Sequence, residues 1–348
     1  MTATVPTVSF IGAADLMINE TDPDFLLQHV GDAMRAADMT YVNLEGPMCD
    51  TGEKNAALTG IANAIRSAPR LAAALKRAGV DVVSIANNHT MDYGVAGLEQ
   101  TLDLLRDTGI PYCGAGRNLA QARQPVVLQH NGLRVAFLGY TSMCPLSYAA
   151  TSTTHGAAVV RASTSYDANL RVMLQPGSPM NIRTAANAAD LQMVREDVAT
   201  AKASADVVMV SWHWGVSERY GKIAEYQREM GHAAIDAGAD VILGHHAHML
   251  LGVEYYKGRP IFYSLGNFAF DMTHRYFRPE TAFLKCDISK DGLSNIRLAP
   301  LLINSARQPV PTDERGTQRI AWMLEELSEG MNTKIACSGR EIELATIA

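Results

Sequence analysis

Short apolar runs recur along the chain, each ending in a polar residue and each separated from the next by residues with helical spacing. Residues 7–12 (TVSFIG) lead to Asp15, and residues 39–44 (MTYVNL) lead to Glu45. Residues 80–85 (VDVVSI) deliver Asn87, Asn88 and His89, residues 205–212 (ADVVMVSW) deliver His213, and residues 240–244 (DVILG) deliver His245, His246, Ala247 and His248. Apolar positions at helical spacing predict helices over residues 25–37, 57–77, 95–108, 190–204 and 223–237, with a last helix over 317–330 closing the fold. Residues 133–140 predict a further strand. Residues 253–256, 259–265 and 282–298 predict antiparallel strands, with turns at Lys257-Gly258 and Asp291-Gly292. This alternation is that of an α/β protein. No internal repeat divides it, so residues 1–348 are expected to form one domain.

From residue 141 to about 190 the periodicity gives way to Ser, Thr, Ala, Pro and Gly, with Arg161, Arg171 and Arg183 dispersed among them. So long a stretch inside a compact enzyme is expected to be an active-site insertion or lid. Guanidinium groups grip carboxylate or phosphate through two hydrogen bonds, so these arginines are candidate substrate-binding residues. Taken singly, each is more readily read as a solvated loop residue.

Composition narrows the partners. With 47% hydrophobic and 19% charged residues, the chain can bury an ordinary core. A formal net charge of −6 provides no general basic footprint, which argues against nucleic acid or an anionic membrane surface. No run of 18 apolar residues predicts a transmembrane helix. Cys49, Cys113, Cys144, Cys286 and Cys337 are scattered without CxxC spacing and read as free thiols. Together with a start that lacks signal-peptide features, they predict a cytoplasmic protein.

In open α/β sheets, sites form at the carboxyl ends of strands, so residues far apart in sequence can meet there. A histidine after one strand is by itself an ordinary core or surface residue. Five strand ends that all carry metal-capable residues point instead to a shared ion, and GHHAH strengthens the case. Carboxylates, an amide oxygen and imidazoles form a mixed oxygen and nitrogen set. Such a set suits Mn, Zn or Fe better than Mg or Ca, and its size suits two divalent transition metal ions.

The segments ADLM (14–17), NLEGP (43–47), ANNHTMDYG (86–94), HWG (213–215), GHHAH (244–248) and YSLGNF (263–268) resemble the CapA family of capsule or poly-γ-glutamate biosynthesis. That family is similar in turn to the calcineurin-like metallophosphoesterases. The resemblance runs from about residue 7 to 305. It implies a four-layer α/β/β/α sandwich of two mixed sheets with a di-metal centre between the sheet ends. By the same resemblance, Asp15 and His248 would hold the first metal, and Glu45 would bridge. Asn88, His213 and His246 would hold the second metal, with His89 the general acid. Asn43 is a further candidate ligand or orienting residue for the first metal. Asp92 would orient the catalytic imidazole and Asn267 a ligand histidine; Asn267 is also a candidate substrate contact. His245 is not counted as a ligand.

The chain departs from the phosphoesterase pattern in two ligand positions: Met17 stands where a histidine is usual, and Glu45 where the bridging residue is usually Asp. The turn before Asp15 also begins with Ala14 rather than Gly. The expected function is therefore a metal-dependent hydrolase with a two-metal-activated water, acting on an amide or γ-glutamyl-type bond of a small anionic compound. A phosphomonoesterase or phosphodiesterase is one alternative, and a non-catalytic accessory protein of polymer synthesis is the other. Homo-oligomerisation is left open.

Overall fold

The computed structural model describes residues 6–56, 64–272 and 277–347. Two large mixed sheets face each other among them. In the first, strand Val8–Met17 is flanked on one side by parallel strands Met39–Leu44, Val82–Ser84 and Tyr112–Cys113. On its other side it meets strand Glu280–Ser289, which continues through Gly292–Ile303 to Glu341–Thr346 and Thr333–Ser338. The second sheet has parallel strands Leu133–Thr141, Val207–His213, Val241–His245 and Arg259–Phe262, with antiparallel Val126–His130 and Val253–Tyr256 at its edges.

Strand periodicity assigns each side chain to a layer. In the second sheet Val135, Phe137, Val207, Met209, Val241 and Leu243 join the core shared with the first sheet. Their neighbours Ala136, Leu138, Val208, Val210, Trp212 and Ile242 face the other way, onto helices Ala188–Ser204 and Glu225–Asp236. Tyr41 of the first sheet stacks on Phe137 of the second, with ring centroids 6.0 Å apart. Helices Leu71–Ala78 and Gly94–Thr108 contribute Leu71, Leu75, Leu98 and Leu102 to the core of the first sheet. The layers are therefore α/β/β/α, as expected.

Several elements differ from the sequence expectation. The helix expected over 57–77 is confined to Leu71–Ala78 among the described residues, and 57–63 lie outside them. Ser67 pairs with Met48 in a parallel bridge, and the chain over residues 64–68 is not helical. Residues 25–37 form two short helices, Pro23–Leu27 and Gly31–Ala36. Two strands, Thr333–Ser338 and Glu341–Thr346, follow the helix Glu314–Leu327 that was expected to close the fold.

The 141–190 stretch is structured in two parts. Residues 141–160 thread between buried neighbours, with Tyr148, Ala150, Ala157, Ala158 and Val160 all buried. Strands Ala162–Asp167 and Asn181–Ala186 then pair into a ribbon whose far end carries helix Leu170–Leu174.

Candidate metal centre

Two rungs of strand register create the centre. In the first sheet Asp15 lies between Asn43 and Asn267, all three at aligned positions. In the second, His213 lies between Thr141 and His245. Asp15 does not follow its strand but sits within it, where the pairing register shifts. Such an irregularity re-aims a side chain. Tyr41, Asn43 and Glu45 share one face by the two-residue period, and Gly46 turns the chain away with φ +86. His246 and His248 both have left-handed backbones, φ 87 and 56, which release them from strand alternation. Gly244 is required by close approach, because a Cβ there would lie 2.3 Å from the Tyr263 carbonyl oxygen.

Asp15 is held by several donors. Asn43 Nδ2 donates to its Oδ1 at 2.8 Å, and the His246 backbone N–H donates to its Oδ2 at 3.1 Å. His245 Nδ1 stands 3.1 Å from Oδ1, while its Nε2 is 3.0 Å from the Tyr41 hydroxyl. His245 thus buttresses Asp15 from behind, a role the sequence reading left unassigned. Burial raises the Asp15 carboxyl, but the His245 contact and the surrounding histidines outweigh it and leave the group below its ordinary value.

Glu45 has the opposite environment. It is fully buried, and neither carboxylate oxygen receives a hydrogen bond. Asp15 beside it is an acceptor too. Around Glu45 Oε1 stand His248 Nε2 at 3.6 Å, His89 Nε2 at 3.8 Å and His213 Nε2 at 3.9 Å. Burial first, then the charges of Asp15 and Asp92, push its carboxyl well above the usual range. An orphaned buried carboxylate costs free energy unless a cation meets it. Asp15, Glu45 and His248 offer ligand atoms that all lie within 4.8 Å of one another.

The other half of the cleft gathers Asn88, His213 and His246. His213 Nε2 lies 2.7 Å from Asn88 Oδ1 and 3.2 Å from His246 Nδ1. Nitrogen ligands on one tetrahedral zinc stand about 3.4 Å apart, so the spacing is near that of a coordination shell. Burial first and the His246 charge second keep His213 far below its ordinary pKa, hence neutral and able to coordinate. His248 is also lowered, chiefly by burial, and Asn267 Oδ1 fixes its Nδ1 at 2.8 Å.

His89 lies at the edge of the cleft with Nδ1 2.7 Å from Asp92 Oδ2. Asn87 braces this turn, donating from Nδ2 to the Leu44 carbonyl and accepting the His89 N–H at its Oδ1. The structure thus brings together Asp15, Asn43, Glu45, Asn88, His89, Asp92, His213, His246, His248 and Asn267. It does not bring the arginines there. Arg161 is paired with Asp190 at 2.7 Å, Arg183 with Glu225 at 2.7 Å, and Arg171 is exposed on the ribbon helix. Met17 is buried with Ile65 and Phe270 in a small apolar cluster.

Facing sheets with a carboxylate and imidazole cluster between their strand ends define an α/β/β/α protein with a candidate metal centre. Residues 8–272 match the family described as bacterial capsule synthesis protein PGA_cap, and the chain belongs to that family. The PGA biosynthesis protein CapA of Bacillus subtilis (strain 168) is 30% identical over 337 residues, covering 94% of this chain and 79% of its own length. The capsule biosynthesis protein CapA of Bacillus anthracis is 29% identical over 305 residues, covering 87% of this chain and 67% of its own length. A probable polyglutamine synthesis accessory protein of Mycobacterium tuberculosis is 29% identical over 241 residues, covering 65% of this chain and 56% of its own length. Among the described residues no helix is long and apolar enough to cross a membrane.

Proposed function

We propose that the chain is a metal-dependent hydrolase acting on an amide or γ-glutamyl-type bond of an anionic compound. The observation that carries this reading is Glu45: a buried carboxylate without hydrogen bonds, with three imidazoles about 4 Å away. In this reading Asp15 and His248 would hold one divalent transition metal and Asn88, His213 and His246 a second, with Glu45 as a further ligand. Asn43 orients Asp15 through its Nδ2 donor. Such a pair, when bound, supplies Lewis acidity and a nucleophilic water near neutral pH.

The remaining work belongs to the chain. His89 keeps Nδ1 against Asp92 and turns Nε2 toward Glu45, which suits it to hand a proton to the leaving group. Asn267 fixes the His248 ring and selects which of its nitrogens faces Glu45. Arg161 and Arg183 are engaged by Asp190 and Glu225 away from the cleft, so the exposed Arg171 is the one proposed as a contact for a distant substrate carboxylate; the expected mark is a raised KM with unchanged kcat in Arg171→Ala.

One observation favours the accessory role instead: the Mycobacterium tuberculosis relative is described as a probable polyglutamine synthesis accessory protein. The deciding experiment loads the protein with Mn, Zn or Fe. It then compares p-nitrophenyl phosphate, its bis-ester, γ-glutamyl anilides and short γ-glutamyl oligomers. Higher kcat/KM on the γ-glutamyl amides is expected. A kcat/KM at least tenfold higher on a phosphate ester makes the protein a phosphoesterase. Inactivity of the loaded protein on the whole panel favours the accessory role.

A further inference from the structure

The stretch expected to send arginines to the cleft sends a tyrosine. Tyr148, on the short 3-10 turn Leu146–Tyr148, is fully buried, and its hydroxyl donates to Asp92 Oδ1 at 3.0 Å. Asp92 is fully buried as well. Its Oδ2 faces His89 Nδ1 at 2.7 Å and accepts the Ile65 backbone N–H at 2.8 Å. Both carboxylate oxygens are therefore engaged, so the group cannot rotate without breaking a buried hydrogen bond. Burial first and the Asp92 charge second hold the phenol protonated, which makes Tyr148 a donor here and not an acceptor.

The backbone around Tyr148 is equally constrained. Its N–H donates to the Pro145 carbonyl at 2.9 Å, and Ala149 bridges Ala157. Gly156 passes so close that a Cβ there would lie 2.3 Å from the Tyr148 carbonyl oxygen. The same loop leaves the strand Leu133–Thr141, whose last residue is in register with His213. One loop therefore ties the His213 strand of the second sheet to the His89 and Asp92 turn of the first.

We propose that Tyr148 is a positioning residue that fixes the Asp92 carboxylate and, through it, the orientation and tautomer of His89. With Asp92 locked, the Nδ1 proton of His89 stays on the Asp92 side and Nε2 is the nitrogen presented to the cleft, 3.8 Å from Glu45 Oε1. This assignment rests on the reading of His89 as the proton donor of a hydrolase. In Tyr148→Phe, turnover is expected to fall roughly 10- to 100-fold with KM and metal content little changed, the usual scale for loss of a group that orients the catalytic shell.

The test uses zinc-loaded, 15N-labelled full-length protein, with the His89 ring signals assigned from their loss in His89→Asn. Observed on the neutral imidazole, the wild type is expected to show one protonated and one unprotonated ring nitrogen, with the proton on Nδ1; the proton that Nε2 hands to the leaving group is the second one, carried by the imidazolium form. In Tyr148→Phe the two signals are expected to move toward each other, while the backbone amide spectrum away from the site and the zinc content stay as they were. Identical His89 signals in wild type and Tyr148→Phe overturn the inference, as does an unchanged kcat where the wild type turns over a panel substrate. If Tyr148→Phe fails to fold, 3-fluorotyrosine at position 148 keeps the ring and hydroxyl while altering donor strength. A shift of the His89 Nδ1 proton is then expected, and no shift overturns the inference. If the wild type hydrolyses nothing while the His89 signals respond as described, the hydrolase reading fails and the positioning role stands.

Discussion

The strand-end cluster and the projecting ribbon invert the usual distribution of polarity. In the cluster Asp15, Asn43, Glu45, His213 and His245 are all fully buried. On the ribbon, Leu170, Met173 and Leu174 are 67%, 77% and 70% exposed, and Arg183 pairs with the surface acids Asp167 and Glu225. The cluster is placed by ladder register in two sheets that are themselves packed together. A two-stranded ribbon is marginal by itself. This one is tied down near its base by Arg161 to Asp190, and by Glu225 and Glu229 accepting the Thr184 and Ala186 N–H groups. Charge density in a sequence therefore says little about who reaches a site. Register says more.

Four measurements would break or sharpen this contrast. Glu45→Ala should have the largest effect on metal binding, lowering affinity for the first divalent ion by more than about 100-fold in a chelator competition. Loss of merely an orienting group costs 10- to 100-fold. Full loading of this variant would sever the link between the buried carboxylate and metal. His89→Asn should retain its metal yet lose roughly 10²- to 10⁴-fold in turnover, the scale of general acid catalysis. Metal loss with a normal rate per bound ion would make His89 a ligand. Asn267→Ala, which frees the His248 ring, should cost about 10- to 100-fold in affinity at that half of the centre.

The smallest effect belongs to the ribbon. Arg161→Ala should cost about 0.5–1 kcal/mol in urea unfolding at pH 7, as expected for an exposed guanidinium. Burial raises the Asp190 carboxyl, but hydrogen bonds from Arg161 outweigh it and hold the group below its ordinary value of 3.8. The contribution is thus present above that value and lost as pH falls through the lower folded-state value. Wild type and variant should converge there. Zinc content should not differ between them, and a drop in the variant would erase the contrast.

The legible part of the fold was what strand periodicity governs. Strand Met39–Leu44 and helix Gly94–Thr108 lie where the apolar pattern puts them, and so do the polar residues that follow the strands. What escaped was set by distant pairing. The bridge between Met48 and Ser67 overrides helical spacing over residues 64–68, and no local pattern reports a partner so far away. Strands Thr333–Ser338 and Glu341–Thr346 are largely exposed and lack an apolar run. Tyr148 was invisible because its partner Asp92 lies 56 residues upstream and its neighbours have no periodicity. His245 looked surplus beside two better-matched histidines; its inward face follows from its register with His213.

The left-handed backbone at His246 and His248 restricts what evolution or an engineer can put there. For most side chains that conformation costs about 1–2 kcal/mol, and only Gly, Asn and Asp adopt it readily. Glycine would relax the turn but offer nothing to an ion, and alanine would forfeit the imidazole while retaining the strain. Asparagine alone keeps the backbone tolerable and supplies a neutral oxygen. If these residues hold metal as proposed, a one-residue swap to Asn at either position would exchange a nitrogen ligand for an oxygen one without disturbing the turn, a route from softer to harder cations.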